Sequence, residues 1–591
     1  MWPFDRQHHQ TSGPVIANRL DEDPEAGGAA QVLWDPMRAA EHTIQSIHGL
    51  SIRHIQELVT EAQSLVGKIE GLLPDLDAPG GNLNKFAGDV NAAYQRLKNT
   101  VGQSPDIILR RITVGKNIKR PALIAFADGM VDNAIVDQDT VRVTELYEVN
   151  EAAATDESAL HATVLRQMVA AGHVTTSATW ESLLIQLTYG NTLLFVQGSA
   201  TVLVIDSVKF QARAIDRPKS EPSIKGPQEA FNEILLTHMN QIRRRIRTPW
   251  LHFDPIQVGG YTSTTVLVAH IEGLTNPAVV AAVKNRIRRI RRDGVQELSD
   301  ITTYLLERRS LFPQFRLTER VDWVVRDLLN GKVALLVDNT PFVATLPSVL
   351  LDFYQTTQDY VFMFWEGSLV RIVRALGLML GLFLMPFYIA LFSVDPDLVP
   401  TKLVLTVAGS RLGIPFPPVM EVIIMWIIIE ILREAANRLP TELAVTLGTV
   451  GAVVVGTAIV KAGIVDPLLI VMVTLTALAL FTTPAFELTA AWRWLFWVLI
   501  LGAYVFGVLG ILVVAVLIVA YLSSLESFGV PYLSPVGPLN LAGMKDCIVR
   551  FPLSLFNNRP AYLHSIDISQ NAKPFDTERV HLVERQARIR H

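Results

Sequence analysis

Long apolar runs in the last third of the chain limit the folds open to this sequence. From Leu376 to Leu522 the residues are mostly apolar, whereas those up to Arg374 are mixed and charged. About 20 consecutive apolar residues are needed to cross the hydrocarbon core of a bilayer. Four runs are predicted to span it: Leu376–Val394, Leu443–Val460, Ile464–Phe481 and Trp494–Leu522. The sequence therefore predicts an integral membrane protein with a large soluble head before its membrane helices.

A fifth apolar run is shorter and carries charges. Prolines stiffen its entrance, and between Val419 and Leu432 it does not reach the length of a span. Its candidate intramembrane charged motif consists of Glu421, Glu430, Arg433 and Glu434. A charge at membrane depth is costly, so such groups face a protein interior, a partner or water. Two interpretations stay open: a short re-entrant or interfacial helix beside a polar pathway, or an ordinary span whose acids pair with arginines on neighbouring helices.

The run Leu443–Val460 carries a weakly polar stripe at helical spacing. Its candidate pore-lining residues are Thr446, Thr449, Val453 and Thr457. Threonine hydroxyls can act as weak ligands for hydrated ions, and an apolar residue such as Val453 can close a pore by dewetting. The alternative is that the hydroxyls bond to the backbone of their own helix.

The charges that flank the apolar runs predict the topology. Arg371 and Arg374 precede the first span, as expected on a cytoplasmic side. The tail after Leu522 is also basic in places, which favours four spans with both termini in the cytoplasm. If the fifth run crosses as well, there are five spans and the C-terminus lies outside. The N-terminus lacks the pattern of a signal peptide, so we expect a cytoplasmic head.

Alternating apolar residues after Pro105 predict an α/β head. The predicted strands are Ile107–Thr113, Ala122–Ala127, Thr192–Val196, Thr201–Ile205, Lys209–Ala214, Thr264–Ile271, Lys332–Val337 and Phe342–Leu346. We place one soluble α/β subdomain at residues 105–220 and a second at 221–365. An all-α transmembrane domain follows at 366–525, with four spans and the short helix, and a cytoplasmic C-terminal tail occupies 526–591.

Residues 1–104 are predicted to form an N-terminal extension with an amphipathic helix, followed by a second, more polar helix at Asn82–Thr100. Between Ile44 and Leu72 the apolar or small residues of the first helix alternate at spacings of three and four, which is the pattern of a coiled coil. The helix either packs on its own domain or mediates self-association.

Two arginine-rich helices are predicted in the second subdomain. The first is expected to begin at Pro227, with Glu229 near its positive N-terminal end and its arginines near the negative end. Candidate residues for contact with another subunit or with lipid are Arg243, Arg244, Arg245, Arg247, Arg288 and Arg289. Nucleic acid is not favoured as a partner, because aromatic residues that could stack on bases are not interleaved with these arginines.

The sequence gives little support to an enzyme. A single cysteine, Cys547, excludes an intramolecular disulfide and a zinc cluster. The phosphate-binding loop, the nucleophile elbow and the zinc-protease motif are all missing from the sequence. We therefore expect no catalytic residues, no cofactor and no metal.

Several stretches together resemble one known family. In chain order they are IKGPQEAFNE, QIRRRIRTPWL, PFVATLPSVLLDFYQTTQDY, PFPPVMEVIIMWIIIEILREAANRLP, VKAGIVDPLLIVMVTLTALALFTTP and SFGVPYLSP. They closely resemble the A subunit of GerA-type spore germinant receptors. The resemblance runs from about Pro105 to Pro560 and leaves residues 1–104 uncovered.

The resemblance implies a function in bacterial spore germination. It implies a nutrient receptor in the spore inner membrane, with head and tail facing the core. The expected partners are a transporter-like B subunit, a lipoprotein C subunit and further copies of the chain in a ring, expected to be a pentamer. Such a ring is expected to act as a nutrient-gated channel that releases monovalent cations.

The sequence departs from the family pattern at two positions. The family commonly has an acidic residue about where Thr457 stands, and Gln about where Lys461 stands. Both departures make the expected path less negative, which leaves its cation preference open. Two alternative functions also remain: a scaffold that does not conduct, or the related sporulation homologue that amplifies ion release.

Overall fold

The structure is a computed structural model, and its chain divides into two units, Met1–Leu83 and Asn84–His591. The residues it describes are 85–116, 119–142, 144, 173–209, 217–306, 310–438, 456–555 and 557–570. Several predictions lie outside these residues: the coiled coil, the strand Lys209–Ala214 beyond its first residue, and the candidate pore-lining residues Thr446, Thr449 and Val453. All that follows concerns the second unit.

The first sheet is antiparallel and has five strands. In chain order they are β1 (Ile107–Val114), β2 (Arg120–Ala127), β3 (Val174–Ser177), β4 (Thr192–Val196) and β5 (Val202–Ile205), and their spatial order is β1-β2-β4-β5-β3. Alternate residues point to opposite faces, so Leu123 and Ile124 enter two different apolar cores. Helices α1 (Val90–Thr100) and α2 (Trp180–Thr188) cover the first face.

The second sheet repeats this strand order. Its strands are β6 (Leu251–Val258), β7 (Thr264–Ile271), β8 (Arg316–Thr318), β9 (Val333–Val337) and β10 (Val343–Leu346), ordered β6-β7-β9-β10-β8. Helices α3 (Leu235–Arg245) and α6 (Val321–Leu329) pack on one face. Helices α4 (Pro277–Arg288) and α5 (Leu298–Leu305) pack on the other.

Helix α3 begins at Leu235, so the prediction of a helix from Pro227 was wrong. The intervening segment is held in extended contacts instead: Ala230 bridges to Arg320, and the Phe231 amide donates to the Glu319 carbonyl at 2.8 Å. Tertiary contacts therefore override the local preference of this stretch for a helix.

The membrane half is helical, and its tail returns to the head. The helices are α7 (Gln358–Val361), α8 (Phe364–Ile389), α9 (Thr401–Ser410), α10 (Pro418–Arg438), α11 (Pro467–Leu480) and α12 (Phe486–Ser523). A π-helical turn extends α8 to Val394, and residues 456–461 are also helical. After α12 a two-stranded ribbon, β11 (Glu526–Ser527) and β12 (Val530–Pro531), opens the tail, which packs on the head. There the Leu350 amide donates to the Tyr532 carbonyl at 2.9 Å.

By length and composition alone, two of these elements could cross a membrane, Phe364–Val394 and Phe486–Ser523, counting only the described residues; the second is bent back on itself at Gly507. Helix α10 has 21 residues, longer than the short apolar helix predicted there, because its polar C-terminal residues continue the helix. Helix α9 lies between the first predicted span and the charged run, where the sequence analysis places no helix.

Helix α12 is a hairpin of two arms, so the prediction of one long span over Trp494–Leu522 was wrong. The ring centroid of Phe312 lies 5.4 Å from Trp492 and 6.1 Å from Tyr521. In a straight helix those two residues would be about 43 Å apart at 1.5 Å per residue. The reversal occurs at Gly507, whose φ of +60° and ψ of −141° are not helical.

Only glycine fits at this reversal. A β-carbon on Gly507 would collide with the carboxylate of Asp395, which accepts a hydrogen bond from the Val508 amide at 2.8 Å. Asp395 thereby satisfies a backbone donor at the start of the returning arm. Gly502 and Gly510 let the two arms approach closely.

A candidate functional site of buried charges in the membrane half

Four helices bring a group of polar side chains together inside the membrane half. We call it the acid cluster, and its members are Tyr388, Ser410, Arg411, Glu421 and Asp466. Helix α8 supplies the tyrosine, and the end of α9 supplies the serine and arginine. Glu421 lies in the first turn of α10, and Asp466 is the N-cap of α11, followed by a proline at the first helical position.

Both carboxylates of the acid cluster are completely buried. Glu421 accepts from the guanidinium of Arg411 at 2.9 Å and from the backbone amide of Asp466 at 2.8 Å. Asp466 accepts from the hydroxyl of Ser410 at 2.9 Å and from that of Tyr388 at 3.4 Å. These hydrogen bonds form one connected network that joins the four helices α8, α9, α10 and α11.

The charges of the acid cluster do not balance. Among the described residues two carboxylates face one guanidinium, so within that part of the chain one negative charge is in excess when both acids are ionised. Burying an uncompensated charge is costly, and a proton or a small cation can neutralise it. The cluster can therefore couple the packing of these helices to occupancy by a positive charge.

The rest of the predicted charged motif lies further along α10. Glu430 pairs with Arg433 at 3.0 Å and with Arg493, on the first arm of α12, at 2.6 Å. Glu434 lies one turn on, with an exposed side chain. The motif is therefore split between two places. Glu421 and Glu430 each pair with an arginine from outside α10, Arg411 and Arg493.

A second buried ion-pair group ties α8 to the head and to the tail. We call it the junction cluster, and its members are Asp359, Arg371, Arg374, Asp546 and Arg550. Arg371 contacts Asp359 at 3.2 Å and Asp546 at 2.9 Å, and Arg374 contacts Asp359 at 2.9 Å. Arg550 donates to the backbone carbonyl of Asp359 at 2.6 Å.

Most of the junction cluster is shielded from solvent, and only the side chain of Asp546, at 26% exposed, is partly open to it among the paired groups. Burial tends to raise the pKa of Asp359, but the hydrogen bond and charge of Arg374, with the charge of Arg371, outweigh it and lower that pKa. Burial also raises the pKa of the neighbouring Tyr360, whose hydroxyl donates to Asp546 at 2.6 Å. The sequence pointed to Arg371 and Arg374 only as a cytoplasmic flank, because their acidic partners are distant in the chain.

The predicted pore-lining set is represented in the described residues by Thr457 alone. Its side chain is exposed, as are those of Ala458 and Lys461.

The six arginines predicted to contact lipid or another subunit have different surroundings. Arg243 is buried against Asp106, Ser104 and the Leu251 carbonyl, so it is not available to a partner. Arg244 and Arg245 pair with Glu229 at 2.5 and 2.7 Å. Arg247 lies over the ring of Tyr189 at 4.5 Å. Arg288 and Arg289 are exposed.

The position of Glu229 also corrects the prediction from the helix dipole. Glu229 lies before α3 rather than in its first turn, and it pairs with arginines at the C-terminal end of that helix.

An α/β head is joined through buried ion pairs to a bundle of apolar helices, two of which have the length and composition of membrane spans, and this is the architecture expected of a membrane protein with a large extramembrane part. The comparisons with known proteins agree with this class. Residues 95–562 match the model of the family described as Bacillus/Clostridium GerA spore germination protein. The chain belongs to the GerA family of spore germination proteins.

The relatives are similar over most of their lengths. Spore germination protein GerLA of Bacillus cereus is 31% identical over 82% of this chain and 98% of that protein. Spore germination protein KA of Bacillus subtilis is 33% identical over 80% of this chain and 87% of that protein. A Bacillus subtilis relative, YfkQ, is described as an uncharacterized membrane protein. It is 34% identical over 77% of this chain and 87% of that protein. The first two names concern germination, and none of the three gives a catalytic reaction.

A solved structure also matches part of the chain. It is the N-terminal domain of the A subunit of the Bacillus megaterium spore germinant receptor GerK3, at 26% identity and a TM-score of 0.34. The match covers 45% of this chain and 97% of that one.

Proposed function

We propose that the chain is the A-type subunit of a nutrient receptor that triggers bacterial spore germination. It works in the spore inner membrane, with head and tail facing the core. Its partners are a transporter-like B subunit, a lipoprotein C subunit and further copies of itself in a ring, expected to be a pentamer. The ring opens when nutrient binds and releases monovalent cations. Membership of the GerA family supports the role in germination.

A polar face in the membrane half carries the channel proposal. Thr457 and Lys461 are four residues apart in a helical segment, so they share one face, and both are exposed in the single chain. Lys461 comes directly after the predicted span Leu443–Val460, and the charged end of a lysine at a helix end reaches for water rather than lipid hydrocarbon. Such a face therefore calls for water or another subunit, and in a ring of copies it can line a shared path.

The experiment replaces the charge on that face. Lys461→Gln removes a positive charge from the proposed path, and Lys461→Arg is the matched control that keeps it. We expect faster potassium efflux from nutrient-exposed spores with the glutamine variant, because a positive charge in a narrow path repels cations. The arginine variant should release potassium as the natural chain does.

Thr457→Glu tests the same face by adding a negative charge, with Thr457→Ser as its control. We expect the glutamate variant to speed cation efflux, because the added negative charge attracts cations into the path. If both charge changes leave efflux unaltered in spores with normal receptor levels, this face does not line the path. Reconstitution of the ring in liposomes without a partner channel then distinguishes a conducting ring from a scaffold.

A further inference from the structure

The second arginine-rich helix carries three guanidinium groups that the head does not use. Ile287 and Ile290 are buried against the second sheet, so the residues between and beside them point outward. We call Arg288, Arg289 and Arg291 the arginine patch. All three are exposed, and none of their side chains makes an ion pair or hydrogen bond within the part of the chain that the structure describes.

Neighbouring charges confirm that the arginine patch is uncompensated. Arg292 is paired with Asp300 at 3.3 Å, and Lys284 is paired with Asp254 at 2.5 Å. Arg286 donates to the Leu305 carbonyl at 2.7 Å. The loop from 289 to 297 carries two further acids, Asp293 and Glu297, against the three arginines of the patch, so the local balance stays positive.

The patch lies near the place where the chain leaves the membrane half. The guanidinium of Arg286 stacks over the ring of Phe528 at 4.4 Å from its centroid. Phe528 comes five residues after Ser523, the last residue of the returning arm of α12. Arg286 and Arg289 also line one shallow pocket with Tyr304, whose ring is 45% exposed. The surface therefore combines cations with an aromatic side chain next to the end of a membrane helix.

We propose that the arginine patch binds the anionic phospholipid headgroups of the bilayer that the chain's own helices enter. A guanidinium is well suited to phosphate because its donors form a planar fork. Basic residues next to a membrane helix are attracted to the negative surface of an anionic leaflet, and aromatic side chains favour the interface. The inference depends on the helices lying in a bilayer but not on the channel proposal.

The test uses the full-length chain purified in detergent, with native mass spectrometry as the readout. The probe is dioctanoyl-phosphatidylglycerol, compared with dioctanoyl-phosphatidylcholine and inorganic phosphate. The test variant is Arg288→Gln with Arg289→Gln and Arg291→Gln. A second variant carries Lys at the same three positions. The matched control, Lys85→Gln with Lys98→Gln and Lys119→Gln, removes three exposed cations beside the first sheet.

We expect the natural chain, the lysine variant and the matched control to bind the phosphatidylglycerol probe in preference to the zwitterionic one. Each basic residue near an anionic surface contributes about fivefold in affinity, so the glutamine variant should bind roughly a hundredfold more weakly. The difference should shrink as salt is added.

Other results would overturn the proposal. Equal binding by the glutamine variant would show that the patch is not the headgroup site. If the zwitterionic probe binds as well as phosphatidylglycerol, the binding does not depend on the charge of the lipid. If inorganic phosphate binds as well as the lipid, the arginine patch is a site for a free anion. If the glutamine variant still binds the phosphatidylglycerol probe but no longer forms the oligomers that the natural chain forms, the patch contacts a second copy of the chain instead.

Discussion

The two arginine-rich helices of the head have similar sequences and opposite surroundings. On α3, Arg243 is buried and paired with Asp106, an acid far away in the sequence. At the end of α4, Arg288 and Arg289 are exposed to solvent. What separates them is whether the fold brings a carboxylate within reach, which local composition does not reveal. A run of arginines thus indicates a functional surface only after its partners have been located.

The largest expected effect comes from breaking the buried pair on α3. Asp106→Ala leaves Arg243 buried without its countercharge, so we expect the free energy of unfolding to fall by about 3–5 kcal/mol. Unfolding of the purified chain in urea, followed by tryptophan fluorescence, measures this. The control is Asp137→Ala, which breaks the exposed pair with Arg110. A loss below 1 kcal/mol for Asp106→Ala would mean that the pair is not essential to the head.

A pH effect of intermediate size is expected from another buried residue of α3. Burial lowers the pKa of His238 to about 4, whereas an unfolded histidine titrates near 6.5. The unfolded chain therefore takes up the proton first, and stability is complete above about pH 6.5 and is lost as the pH falls toward 4. From pH 7 to pH 5 the loss should be about 2 kcal/mol.

His238→Gln tests this, because glutamine has no proton to gain in that range. The variant should lose about 2 kcal/mol less than the natural chain between pH 7 and pH 5. Burial also lowers the pKa of His270 to about 4, but that contribution is common to both proteins and cancels. Equal losses in the two proteins would show that His238 is accessible to protons.

A smaller effect is expected from Glu229. It pairs with Arg244 and Arg245, whose side chains are 31% and 23% exposed, so solvent weakens both interactions. We expect Glu229→Gln to lower the free energy of unfolding by about 1 kcal/mol. The exposed neighbour Glu233 offers a control as Glu233→Gln. Equal losses for the two variants would mean that Glu229 contributes no more than an unpaired surface acid. The arginines at the end of α3 would then resemble the unpaired arginines at the end of α4.

The smallest effect on stability is expected from the arginine patch. Replacing Arg288, Arg289 and Arg291 by Gln removes exposed side chains, so the free energy of unfolding should stay within about 0.5 kcal/mol. The same urea measurement checks this on the variant prepared for the lipid test. A fall of more than 1 kcal/mol in the free energy of unfolding would mean that these arginines have an acidic partner. The two helices would then not differ in how their arginines are paired.

Local sequence patterns predicted much of the head. Thr192–Val196 and Thr264–Ile271 form strands with the predicted bounds, and the hairpin around Asp338 is present. These elements follow from alternation and turn residues, which act over a few positions. The helix expected from Pro227 failed because that segment is fixed by contacts with residues around Glu319, about 90 positions later.

The candidate site was only partly predictable. Glu421 stood out as an acid in an apolar run, but Asp466, its neighbour in space, was not selected. The Asp-Pro pair at the start of α11 is a helix-start signal that could have drawn attention to it. By contrast, the reversal at Gly507 depends on the approach of Asp395, and the junction cluster depends on acids distant from Arg371. Neither follows from a local pattern.

The reversal at Gly507 also has a mechanical consequence. It brings the chain back to the head, where Arg371 on the first long helix holds both a head carboxylate and a tail carboxylate. The first turns of this helix are thus held by ion pairs to both the head and the tail. If that helix tilts, the head and the tail must therefore move together with it, or the ion pairs of Arg371 with Asp359 and Asp546 must break.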